Sequence, residues 1–236
     1  MKAFVLAGGQ GTRLRSRFGD LPKPLAPLAG RPFLVRQLAE LRAAGVRHAV
    51  ILAGYGAERV REALAAHPLD LTIEFSIEPE PMGTGGALWH ARAHADAGKL
   101  LIVNGDTLCP CDPWQLEQTR YERGAVGALA LFRVEDASGR GRVECTDGLA
   151  VRAFVEKDPG FRGAAWVNGG MIAVTPALWK HLPAGPSSLE RDVLPGLAAA
   201  GLLHGHACEG TFWDIGTPED FERAERELRT RWGGSA

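Results

Sequence analysis

Several features that would steer a functional reading are missing from this chain. Its 27 Lys and Arg stand against 28 Asp and Glu, a formal charge of −1 over 236 residues. Without a basic excess there is no source for a nucleic-acid surface, so any cations that matter must act locally. No apolar run approaches the roughly 18 residues of a membrane span. The run after Lys2 lasts only about five, where a signal-peptide core needs 7 or more. The expectation is a cytoplasmic protein with no nucleic-acid or membrane partner. Cysteine is scarce, with four in all. Cys109 and Cys111 flank Pro110, Cys145 and Cys208 stand alone, and no His or Cys pair at zinc-finger spacing accompanies them. Free thiols are expected, with a Cys-x-Cys metal or redox site as the alternative. His90 and His94 are four apart on a predicted helix but lack a third ligand nearby, and His48, His67, His181, His204 and His206 form no constellation. No Gly-x-Ser-x-Gly elbow suggests hydrolase chemistry.

What is present is a chain 45% hydrophobic, long enough to bury one large core. The periodicity predicts helices over 32–44, 57–66, 83–97 and 112–124, alternating with strands at 3–7, 48–53, 70–77, 99–103 and 125–134. Such βα repetition implies a Rossmann-like, mostly parallel sheet flanked by helices, with ligands at the carboxyl ends of the strands. Strand-like segments at 142–145, 149–156 and 166–175 follow. Helices return at 187–200 and 217–232, and 233–236 read as a frayed end. One α/β domain is expected, with an antiparallel insertion forming a lid or second-substrate platform.

The most informative stretch runs from Lys2 to Pro24. Ala3-Phe4-Val5-Leu6-Ala7 reads as a buried strand that breaks into Gly8-Gly9-Gln10-Gly11-Thr12-Arg13. Glycines let backbone N–H groups approach an anion closely, and Arg13 and Lys23 add fixed positive charge, so the loop suits a polyphosphate. A Walker A loop would need Lys after its last glycine, where Thr12 stands. A dinucleotide fingerprint would need glycine at Leu14.

One aspartate suits a hard cation. Asp106, in Val103-Asn104-Gly105-Asp106-Thr107, follows a strand's carboxyl end, where one or two carboxylates typically hold Mg²⁺ against phosphate oxygens. Taken alone it also fits an Asx turn. Asp214 ends the short apolar run Phe212-Trp213, and Thr217-Pro218-Glu219-Asp220 reads as an N-cap followed by proline. Glu78-Pro-Glu-Pro-Met-Gly83-Thr84-Gly85-Gly86 opens a helix, so its amides sit at a positive helix end, although a cap by Thr84 explains the block equally well. Glu156-Lys157 alone is a charged pair at a strand end, and Gly139-Arg140-Gly141-Arg142 a turn. Ser188-Leu189-Glu190-Arg191-Asp192 fits a capped helix start.

Gly8-Gly9-x-Gly11-Thr12-Arg13-Leu14 with Pro22-Lys23-Pro24 resembles the N-terminal motif of the sugar-1-phosphate nucleotidyltransferases. The later blocks resemble most the D-glycero-D-manno-heptose 1-phosphate guanylyltransferase branch. The resemblance implies nucleotide contacts from Leu6, Ala7, Gly8, Gly9, Gly11, Thr12, Arg13, Glu78, Gly83 and Thr84. It implies sugar-phosphate contacts from Lys23, Asn104, Gly141, Glu156, Lys157, Asn168 and Gly169. Asp106 and Asp214 would hold a catalytic Mg²⁺, with Arg13, Lys23 and Asp106 as catalytic residues. The two arginines around Gly141 depart from the commoner apolar or aromatic context. The halves 1–134 and 135–236 would serve nucleotide and sugar phosphate respectively, and a homo-oligomer is compatible with the resemblance.

Glu78 falls where other branches place Gln beside the base. A carboxylate accepts from the adjacent N1–H and N2–H of guanine, whereas uracil and thymine flank N3–H with carbonyls that repel it. Partners are therefore expected to be GTP and a sugar 1-phosphate, with cytosine a poorer match. The alternatives are a UTP- or CTP-dependent enzyme, for example of the N-acetylmuramate 1-phosphate uridylyltransferase type, and a non-catalytic nucleotide-sugar-binding subunit. A dinucleotide-dependent oxidoreductase ranks behind both.

Overall fold

The computed structural model describes residues 1–9, 11–96 and 98–232, so the predicted frayed end at 233–236 lies outside the described residues. Strand β1 (Lys2–Leu6) is central: it pairs in parallel with β2 (His48–Ala53) on one side and with β4 (Leu100–Asn104) on the other. Beyond β2 lies parallel β3 (Thr72–Ile77). Alternate β1 side chains enter different cores, with Ala3 and Val5 in one and Phe4 in the other. That two-sided burial explains the near-continuous apolar strands. Helices α1 (Phe33–Ala43), α2 (Ala57–Ala66) and α4 (Pro113–Glu122) cover the first face. The second is covered by α3 (Gly83–His90) and α5 (Leu194–Ala199).

The antiparallel strands continue the same sheet. β8 (Ala165–Val174) pairs antiparallel to both β4 and β5 (Gly127–Val134). The hairpin of β6 (Arg142–Cys145) and β7 (Val151–Val155) extends the edge, in the order β7-β6-β8-β4-β1-β2-β3. Periodicity groups β5 with the parallel half, yet its sheet partners are β8 and the parallel strand β9 (Leu203–Cys208). β8 is irregular between Asn168 and Ile172, and Gly170 there has φ +77°.

Two predicted helices are shorter than expected. The one over 83–97 is α-helical only to His90 and then tightens into a 3₁₀ turn, Ala91–His94. The one over 187–200 begins as a single wide turn, Leu189–Val193, before α5, because Pro195 cannot donate within a regular helix. The C-terminal helix α6 (Pro218–Trp232) starts with a Thr217–Asp220 capping pair, Asp220 N–H donating to Thr217 Oγ1 at 3.1 Å. It buries Phe221, Ala224 and Leu228 in a third core with Leu14, Leu108 and Ile215. That core ties together the segments following the glycine loop, Asp106 and Asp214. Among the described residues, no helix is long and apolar enough to cross a membrane.

Candidate active site

The carboxyl ends of β1, β3 and β4 converge on a cavity of about 500 Å³. Its walls include Leu6, Ala7, Gly8 and Gly9 from the loop after β1, Glu78 after β3, Gly83 and Thr84 opening α3, and Asn104 to Asp106 after β4, with Lys23 beside them. Parallel packing brings these motifs together because each strand ends at the same edge of the sheet.

Glu78 is half-buried against the glycine loop. A Cβ on Gly8 would stand 2.3 Å from Glu78 Oε1, so only glycine allows this approach. The Met82 amide donates to Glu78 Oε2 at 2.8 Å. Burial pushes the Glu78 carboxyl above the ordinary range, partly opposed by the Met82 amide and the charge of His90. The block opens α3 at Gly83 as expected, but not all of its amides are free. Gly85 and Gly86 donate to the Ser187 carbonyl at 2.9 and 3.2 Å, so those amides are taken by protein. Nor does Thr84 cap the helix. Met82 holds the cap position, and the Thr84 hydroxyl donates to Glu190 Oε2 at 2.7 Å while accepting from the Leu189 amide at 2.8 Å.

At the far wall Lys23 Nζ donates to Asp106 Oδ2 at 2.5 Å, with the lysine side chain only 10% exposed. Gly11 packs against Lys23: its Cβ position lies 2.8 Å from the lysine Cβ, and φ is +60°. Asp106 and Asp214 are brought together by backbone. Ile215 N–H donates to the Asp106 carbonyl at 3.0 Å, and Asp214 lies opposite Thr107 in a short antiparallel pair. Asp214 Oδ1 is buried without a hydrogen-bond partner among the described residues. Burial raises the Asp214 pKa, the charge of Asp106 raises it further, and Lys23 lowers it. A divalent cation would relieve both the orphaned oxygen and the carboxylate repulsion, so this pair fits Mg²⁺.

Sequence reading missed Gln37. This side chain is 3% exposed, and its Nε2 donates to the carbonyls of both Asn104 and Thr107 at 2.7 Å, clamping the turn that presents Asp106. Gln37→Leu leaves both carbonyls unpaired, so a stability loss of about 2 kcal/mol and a roughly tenfold fall in turnover are expected. Thermal unfolding and steady-state rates test this; a variant matching the wild type in both removes the clamp role.

A second cavity of about 370 Å³ is lined by Gly141, Arg142, Glu156 and Asn168. It shares Glu190 with the first. Arg142 lies over the Phe161 ring, 3.7 Å from its centroid, which accounts for one of the two unusual arginines. Other candidates stand apart from both linings. Gly11, Thr12 and Arg13 lie in the loop's outer part, with Thr12 and Arg13 exposed, and Lys157 is also exposed. Gly169 is buried where a Cβ would meet the Phe132 ring at 2.4 Å, so it makes room for packing.

The nucleotidyl transferase family matches residues 2–231. The chain is a member of that family. It is 34% identical over 227 residues to the mannose-1-phosphate guanyltransferase of Emericella nidulans, covering 94% of this chain and 62% of that protein. With the mannose-1-phosphate guanylyltransferase catalytic subunit beta of Danio rerio the identity is 33%, over 94% and 62%. The chain thus spans under two thirds of these curated relatives. A solved structure, HddC from Yersinia pseudotuberculosis complexed with GMP-PN, superposes with a TM-score of 0.86 at 31% identity, covering 96% of this chain and 99% of that one. The chain shares its fold with that solved structure, and the glycine loop, Glu78 and Asp106 stand around one cavity of it.

Proposed function

We propose that this chain transfers a guanylyl group from GTP to a sugar 1-phosphate, forming a GDP-sugar and pyrophosphate. Lys23 and Asp106 in the wall of the glycine-loop cavity, with the buried Asp214 behind them, carry this reading. Glu78 in the same cavity supports guanine, as does the GMP-PN bound by HddC. The preferred sugar is D-glycero-α-D-manno-heptose 1-phosphate. Mannose 1-phosphate is the second reading because the curated relatives carry that name. The second cavity, with Gly141, Glu156 and Asn168, is the proposed sugar side, built mainly from the 135–236 half.

An oxygen of the sugar phosphate attacks the α-phosphorus of GTP in line as the bond to the β-phosphate oxygen breaks. The nucleophile is already an anion, so no general base is required. Catalysis rests on positioning and on offsetting negative charge. The loop amides and Arg13 hold the triphosphate, while Lys23 and Lys157 hold the reacting phosphates. Mg²⁺ on Asp106 and Asp214 would supply the remaining positive charge.

Pyrophosphate release should be measured for GTP, CTP, UTP, ATP and dTTP, each against the heptose phosphate and α-mannose 1-phosphate. GTP with either manno sugar supports the reading, and turnover confined to another nucleotide overturns it. Glu78→Gln replaces a double acceptor by one acceptor and one donor. It should lower kcat/KM for GTP about 100-fold and narrow the gap to UTP. An unchanged nucleotide ratio would take base reading away from Glu78. Because burial raises its pKa, the guanine preference should also weaken at a higher pH than an ordinary glutamate would allow as the solution is acidified.

A further inference from the structure

The face of the sheet under α4 brings together three side chains from distant parts of the sequence. Cys111 precedes α4, and His206 and Cys208 lie on β9. A ligand atom from each, two Sγ and one imidazole nitrogen, lies within 4.8 Å of the other two. Cys109 abuts Cys111 as well. All four cysteines are free thiols, and Cys111 is buried. Thr119 Oγ1, on α4, lies 2.8 Å from His206 Nδ1 and fixes the ring, as second-shell partners of metal-binding histidines do. Burial lowers the His206 pKa, favouring the neutral imidazole that a metal needs.

We propose that Cys111, His206 and Cys208 bind one Zn²⁺, with Cys109, which lies beside Cys111 but outside that 4.8 Å group, turning in as the fourth ligand. The donors are sulfur and nitrogen, which suits a borderline-soft cation and sets this site apart from the all-carboxylate pair at Asp106 and Asp214. Zinc–sulfur bonds of about 2.3 Å put tetrahedral ligands about 3.8 Å apart, so these three side chains need close by no more than about 1 Å. On binding, each thiol releases its proton to solvent and its thiolate sulfur donates an electron pair to the metal. The ion would join the segment that follows Asp106 to the strand that precedes Asp214. It would act as a brace behind the proposed magnesium site, outside the reaction itself.

The test begins with protein expressed in zinc-supplemented medium and purified without chelator. Elemental analysis should find about one zinc per chain. Co²⁺ added to the apoprotein should give a thiolate-to-cobalt charge-transfer band. Cys111→Ser with Cys208→Ser should lose both signals, whereas Cys145→Ser, in the opposite core, should keep them. Chelation should lower the Tm of the wild type and leave that of the double variant unchanged. If the double variant does not fold, His206→Ala must show weakened cobalt binding. Folded wild type with negligible zinc and no cobalt band overturns the proposal. So does a Cys111–Cys208 disulfide found by mass spectrometry, or full metal content in the double variant.

Discussion

Asp106→Ala is expected to lower metal-dependent pyrophosphate release about 1000-fold or more while leaving the protein folded. Its carboxylate accepts from Lys23 Nζ at 2.5 Å and is close enough for its charge to act on Asp214. Removing it takes away a cation ligand and the partner that orients Lys23. The fold should survive because the backbone contacts of this turn do not need the side chain. Ile215 still donates to the residue 106 carbonyl, and Gln37 still clamps Asn104 and Thr107. Lys23 is not stranded either, since the charge of Asp214 remains close. Circular dichroism and a saturating-substrate assay over a range of Mg²⁺ concentrations check this. Turnover within tenfold of wild type would remove Asp106 from the chemistry, and a rise in KM alone would reduce it to holding nucleotide.

The parts of this site that were legible in the sequence are those in which a strand runs directly into its functional loop. Leu6 to Gly9 and Asn104 to Asp106 follow apolar runs and Glu78 an alternating strand, and parallel packing then aligns their ends. Asp214 was legible only through family resemblance, because its approach to Asp106 depends on pairing two residues at Thr107–Leu108 with two at Trp213–Asp214. No local periodicity encodes that. Gln37 went unnoticed because a polar residue on an amphipathic helix reads as solvent-facing, although it sits between Val35 and Leu38, both buried. β9 was missed because Leu-His-Gly-His-Ala-Cys lacks an apolar run; Gly205 admits the Leu131 side chain, whose Cδ1 would stand 2.3 Å from an added Cβ. The same gap left His206 and Cys208 looking isolated.

Asp214→Asn should separate stability from activity. In the folded state burial and the Asp106 charge raise the Asp214 pKa. The native protein therefore binds this proton more tightly than the unfolded chain does. Ionised Asp214 costs stability above its folded pKa, and that cost disappears as pH falls below the ordinary carboxyl range, where both states are protonated. Asparagine keeps the shape and removes the charge, so without divalent cation the variant should be more stable at neutral pH by about 1 kcal/mol, an advantage that fades on acidification. Turnover should nonetheless fall about 100-fold or more, because a neutral amide is a poorer ligand for a hard cation. Adding Mg²⁺ should raise the Tm of the wild type more than that of the variant, since only a ligand that favours the native state stabilises it. A variant that is less stable at neutral pH without metal would mean that the buried carboxylate makes favourable contacts outweighing its desolvation. Undiminished turnover would place the metal elsewhere. The two measurements fail independently, so a purely structural role for Asp214 and a metal-binding one give different results. A residue that lowers stability when metal-free and is indispensable to turnover follows the pattern expected of a preorganised cation site.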